Sequence, residues 1–290
     1  MKKLQIIDAT TDLLSSFDNG LFNLEMWKSY MDYAHLSKAK EICFQDMEDS
    51  IISAGLEWGK DYLPVLNSVP NNIDKINRIT QSFYAVTENL PEKISNKFGK
   101  TLDVDIILYL GLCNGAGWVT TIGEKTTVLL GIEKIIELDW CDIYSMNGLI
   151  LHELGHVYQD KYGVLNREID ALQNQFLWQL FTEGIAMVFE QEMVDNPEYY
   201  HQDKDGWKNW CTQNLGLINQ SFCDDLATMT SSNQRYFGDW VRFHGYSDVG
   251  YYLGAYFVRF LLRNDCFDNL ISYSIDDVRK QFKMFSEMNH

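Results

Sequence analysis

Basic residues are in short supply in this chain. Lysine and arginine number 24 against 41 aspartates and glutamates, a formal charge of −17 over 290 residues. A nucleic-acid backbone or an anionic membrane needs the opposite balance, so neither is expected as a partner. Long apolar runs are missing too. No stretch approaches the ~18 uninterrupted apolar residues of a membrane-spanning helix. After Met1, Lys2 and Lys3, the polar residues Asp8, Thr10, Thr11 and Asp12 interrupt the ~7–15-residue apolar stretch that an export signal requires. The six cysteines (Cys43, Cys113, Cys141, Cys211, Cys223 and Cys266) are scattered and include no C-x-x-C pair. They read as reduced thiols, and the expected location is cytoplasmic. Internal repeats, low-complexity tracts and flexible linkers are likewise absent.

What remains is a chain that can build a core. Apolar residues make up 46% and aromatics 14%, which argues against wholesale disorder. The length suits one large domain or two modest ones. Residues 1–100 read as a helical N-terminal region. Leu21 to Ala34, Ser37 to Ile52 and Asn72 to Leu90 carry helix-spaced apolar positions, and in the last of these Ile73, Ile76, Ile79, Phe83 and Val86 share one face. Pro64, Pro70 and Pro91 punctuate this part. The period changes near residue 100. Val104 to Leu110, Trp118 to Ile122 and Thr126 to Ile132 read as three strands of a small antiparallel sheet, with glycines at the turns. Beyond Asp142 the pattern is helical again. Helices are expected from about Ser145 to Tyr162, with Gly163 as the cap, from about Asn166 to Met193, and from about Asp248 to Arg263. Ser274 with Asp277 marks the start of a last helix. The fold class is therefore α+β and mostly helical, with residues 101–290 forming the domain that carries the chemistry.

That chemistry centres on His152-Glu153-Leu154-Gly155-His156. On a helix, residues four apart lie one turn apart on the same face, so two imidazoles can meet one zinc ion at ~2.0–2.1 Å. Glu153 projects near the same edge without ligating, which is the position of a general base. A catalytic zinc takes three protein ligands and an open position. The third ligand is not a histidine at a metzincin spacing, because Gln159 and Tyr162 occupy those places. His35, His201, His244 and His290 stand in no recognised relation to the motif. The next helix offers Glu183, a carboxylate between Phe181 and Ile185 in an apolar stretch, where it is costly unless paired or bound to metal. Glu190 lies further along the same segment.

Glu183-Gly184-x-Ala186-x-x-x-Glu190 after H-E-x-x-H resembles the zinc signature of the gluzincin metallopeptidases, in particular the M1-type aminopeptidases and related predicted zinc proteases. The resemblance spans roughly Asp105 to Leu262. It implies a gluzincin-like catalytic domain with His152, His156 and Glu183 as zinc ligands and Glu153 as catalytic base. Tyr251-Tyr252-Leu253-Gly254 is similar to the family's Tyr-x-x-Gly helix, which implies that Tyr251 stabilises the oxyanion, with Tyr252 and His244 as alternatives. It also implies that an edge strand, here Trp118 to Ile122, binds substrate backbone. One departure matters. Gly117, Trp118 and Val119 fall where aminopeptidases carry Met-Glu-Asn, so the glutamate that anchors a free amine is missing, and endopeptidase action or another specificity is expected instead.

The expected activity is hydrolysis of a peptide or protein substrate. Glu190 and Asp160 are the expected acceptors orienting the imidazoles. Three other readings are open on the sequence: an inactive zincin-like scaffold; a zinc hydrolase of a non-peptide amide or ester, since the same activated water serves any carbonyl; and an intact protease blocked by a segment of residues 1–100.

Overall fold

The computed structural model describes residues 4–166, 169 and 171–288. They divide into two compact units, Met1–Glu153 and Leu154–His290.

The first unit is built on a four-stranded sheet among its described residues. Its strands are β1 (Gln5–Asp8), β4 (Asp105–Tyr109), β5 (Gly117–Ile122) and β6 (Lys125–Gly131), in the order β1-β4-β6-β5. A separate two-residue ladder pairs β2 (Phe17–Asp18) with β3 (Leu21–Phe22). The sheet is mixed. β1 and β6 both run parallel to β4, and only β5 runs antiparallel to β6. The expectation of an antiparallel sheet is thereby corrected. Ile106, Ile107, Leu108 and Tyr109 are all buried, and a strand covered on both faces reads as a continuous apolar run with no period to report its direction. β1 falls within residues 1–100, where the sequence pattern predicts a helical region, and is a strand. Its partner lies about a hundred residues away, so no local pattern betrays it.

Helices of this unit are α1 (Leu24–Tyr33), α2 (Ser37–Ala54), α3 (Leu63–Ser68), α4 (Ile73–Thr87), α5 (Leu90–Phe98) and α6 (Ile132–Glu137). The expected helix from Leu21 begins instead after Asn23, whose side chain caps the amides of Glu25 and Met26 at 3.0 and 3.1 Å. That cap satisfies donors the first turn would otherwise leave open. α4 buries the predicted face through Ile76, Ile79, Phe83 and Val86, while Ile73 at its start stays exposed. Helix α7 (Ile143–Tyr162) runs on unbroken past the end of the unit.

The second unit is helical. It holds the rest of α7, then α8 (Leu172–Met193), α9 (Trp207–Gln213), α10 (Leu215–Asp225), α11 (Val249–Leu261), α12 (Phe267–Leu270) and α13 (Ile275–Met288). The start expected for α8 near Asn166 falls partly on residues 167, 168 and 170, which lie outside the described residues, as does His290. Ser274 and Asp277 exchange the bonds of a capping box at the start of α13, the Asp277 carboxylate accepting from the Ser274 amide at 2.9 Å and the Ser274 hydroxyl accepting from the Asp277 amide at 3.2 Å. Gly163 does not cap α7 by a left-handed turn. A side chain there would meet the Ile271 carbonyl oxygen at 2.2 Å, and the Val164 amide donates to that same carbonyl at 2.8 Å. The glycine admits a backbone contact.

Helix α8 is buried almost all round, from Phe176 to Gln191. Phe222, Phe257, Phe282 and Phe285 pack edge-on or tilted beneath α10, α11 and α13 with centroids 5.2–5.9 Å apart. Each such ring removes enough apolar surface to contribute roughly 2 kcal/mol or more. No helix among the described residues is long and apolar enough to cross a membrane.

Candidate metal centre

Helix α7 presents His152 and His156 one turn apart, and α8 presents Glu183. One ligand atom from each lies within 4.8 Å of the others. His156 Nε2 is 3.3 Å from Glu183 Oε2, close to the ~3.3–3.4 Å edge of a tetrahedron with ~2.0–2.1 Å zinc bonds. His152 is buried, while the side chains of His156 and Glu183 are 16% and 14% exposed. Both of these side chains therefore keep some contact with solvent.

Glycines explain how α8 comes so close. A side-chain carbon on Gly155 would meet Ala186 Cα at 2.7 Å, so the residue before His156 lets the two backbones approach. On the other side, a carbon on Gly184 would meet the Gly254 carbonyl oxygen at 2.3 Å, and one on Gly254 would meet the Leu180 oxygen at 2.4 Å. Neither Gly155, Gly184 nor Gly254 has a positive φ. What they supply is close approach.

The donor set passes a chemical test for a metal. Two imidazoles and one carboxylate whose ligand atoms converge in this way could hold a metal ion. A carboxylate in a helix as apolar as α8 is otherwise expensive to keep. Glu153 is buried and is not a member of the cluster. It lies against the start of β5, within its own unit.

The other predicted residues have surroundings of their own. Tyr251 lies on α11 one turn before Gly254, half-buried, with its ring 6.0 Å from Phe237. Tyr252 is turned into an aromatic cluster. It stacks on Tyr200 at 5.2 Å, and its hydroxyl is 2.9 Å from the Thr212 hydroxyl. His244 is exposed beside Trp210 and Phe243. Asp160 is also exposed and accepts from Asn166. Glu190 is fully buried, and both of its oxygens are engaged by His201, one by the ring Nδ1 at 2.9 Å and one by the backbone amide at 3.2 Å. Burial pushes the His201 imidazole below its ordinary range.

Two features escaped the sequence. Glu133 is completely buried and accepts the amides of Gly111 and Cys113 at 2.8 and 2.9 Å. Burial holds its carboxyl above the usual carboxylate range, and the backbone donors pull it back. It clamps the loop that leads into β5. Asp248, at the head of α11, is pushed up to about 6 by burial and by the nearby charge of Asp239, against the Gly238 amide that donates to it at 2.9 Å. A glutamate in the first turn of a short helix and an aspartate before one look like surface residues in sequence, and nothing local marks them as buried.

No family model, no curated protein and no solved structure matches this chain.

Proposed function

We propose that the chain is a zinc-dependent peptidase of the gluzincin type that cleaves within peptides. The observation that carries this reading is the convergence of His152, His156 and Glu183, with Glu153 adjacent in sequence and outside the set. Imidazole and carboxylate donors together suit zinc better than the ions that prefer all-oxygen sites. When bound, such an ion supplies Lewis-acid chemistry, polarising a carbonyl and acidifying water.

The chain's own residues do the rest. Glu153 takes a proton from the attacking water and returns it to the leaving amine. Its burial strengthens that exchange, because charge interactions are less screened away from bulk water. Tyr251 donates its hydroxyl to the oxygen that becomes negative. An extended peptide pairs with the outer edge of β5. That strand has one strand partner, β6, among the described residues, and an edge strand offers backbone groups for such pairing. Trp118 stands where an aminopeptidase would need its amine-binding glutamate, which favours internal bonds.

The test uses the zinc-loaded protein and a library of unstructured peptides. Glu153→Gln keeps about one zinc per chain and loses at least ~100-fold in turnover. Turnover retained in the variant removes Glu153 as the base. A wild type that holds zinc and cleaves no peptide sinks the peptidase reading.

A further inference from the structure

Strand β5 opens on Gly117, an odd choice, since glycine weakens a strand interior and often marks a close approach. Its backbone does not require glycine, because φ is not positive. The space above its Cα does. A side-chain carbon at 117 would lie 2.8 Å from Oε1 and 2.9 Å from Cγ of Glu153, and 2.9 Å from Cδ1 of Leu149. All these residues belong to the Met1–Glu153 unit. The carboxylate of Glu153 thus occupies the volume that a Cβ at position 117 would claim.

We infer that Gly117 is a positioning residue for the reaction: by lacking a side chain it lets the Glu153 carboxylate lie against the first residue of β5, which fixes the base relative to a peptide paired on that strand. This rests on the reading of Glu153 as the general base. The strand that would hold the substrate and the group that would deprotonate the water then touch at one point. A substrate residue paired near Gly117 has its scissile carbonyl set by the same backbone against which the base rests. The arrangement turns strand pairing into alignment of the reacting atoms, and alignment is where a large share of catalytic advantage arises.

The inference has a sharp consequence. A methyl group at 117 needs contacts of ~3.5–4.0 Å, so it displaces its neighbours by about 1 Å. The atoms it meets are side-chain atoms of Glu153 and Leu149, so the fold yields there and the backbone stays in place. Gly117→Ala should therefore fold, keep its metal and misplace its base.

The experiment compares wild type and Gly117→Ala as full-length zinc-loaded proteins, by zinc titration, peptide hydrolysis and crystal structures of both. Expected are equal zinc content, a kcat lower by roughly 10- to 100-fold with a smaller change in KM, and a Glu153 carboxylate moved by about 1 Å. A variant with wild-type kcat, a carboxylate found in its original place, or a loss of zinc in Gly117→Ala would each overturn the inference. The displacement is read from the crystals whether or not any peptide is cleaved. An inactive zinc-loaded wild type therefore refutes the peptidase reading, and an unmoved carboxylate refutes the role of Gly117.

Discussion

Replacing Gly184 by alanine sets two effects of known size against each other. In favour, alanine is the better helix former by about 1 kcal/mol in a helix interior. Against, the new carbon would stand 2.3 Å from the Gly254 carbonyl oxygen, 2.5 Å from its carbon and 2.9 Å from Val258 Cγ2. The first two are main-chain atoms inside α11 and cannot rotate away. Restoring ordinary contact requires α8 and α11 to part by about 1 Å along a close-packed interface, and overpacking of this kind costs roughly 3 kcal/mol at its upper end. The clash wins, and the expected net loss is about 2 kcal/mol. Urea unfolding followed by far-ultraviolet circular dichroism measures it. Gly59→Ala is the control, since nothing lies within 4 Å of a carbon placed there. It should leave stability unchanged or raise it by up to about 1 kcal/mol, the propensity gain without the clash. Because Glu183 directly precedes Gly184, zinc affinity should fall in Gly184→Ala as well. A Gly184→Ala protein as stable as wild type would show that the two helices do not meet backbone to backbone, and the account of how Glu183 is placed would fail with it.

Two further outcomes are expected. Asp248 titrates at about 6 in the folded chain and near 3.9 when unfolded. The folded state therefore binds the proton more tightly, and the contribution of Asp248 to stability is fully present below about 4 and lost as pH rises through about 6. On acidification from pH ~7.5 to ~5 wild type should gain roughly 1.4 kcal/mol relative to Asp248→Asn; unfolding curves of both proteins with the same pH slope would refute this. For the tyrosines, Tyr251→Phe should lower kcat by about 100-fold or more with little change in KM. Tyr252→Phe, which loses only its contact with Thr212, should keep its rate at a cost of about 1 kcal/mol in stability; the reverse pattern would transfer the oxyanion role to Tyr252.

The parts of this protein that could be read from its sequence are those set by local spacing. His152 and His156 stand four apart on a helix, and Glu183 is a carboxylate among apolar neighbours; both facts are visible without a fold. The helical periods of α4 and α11 and the capping pair Ser274 and Asp277 are local as well. What stayed hidden depends on contacts between distant segments. β1 is four residues long and is defined by β4. The parallel direction of β4 and β6 leaves no mark on two short apolar runs. The reasons for Gly117, Gly155, Gly163 and Gly184 are the atoms standing over their Cα positions, each from a different element. Glu190, the expected acceptor for an imidazole of the metal motif, is engaged at both oxygens by His201, eleven residues on and beyond the end of α8. No periodicity reports such a pairing.

The most direct measurement of the central claim is metal stoichiometry. The purified chain would be stripped, reconstituted with zinc, desalted and weighed by native mass spectrometry, with His156→Ala and Glu183→Ala treated alongside. The account predicts about one zinc per wild-type chain and its loss in both variants. No retained zinc in wild type, or zinc retained equally in the variants, would contradict it and leave the meeting of His152, His156 and Glu183 as a feature of packing alone.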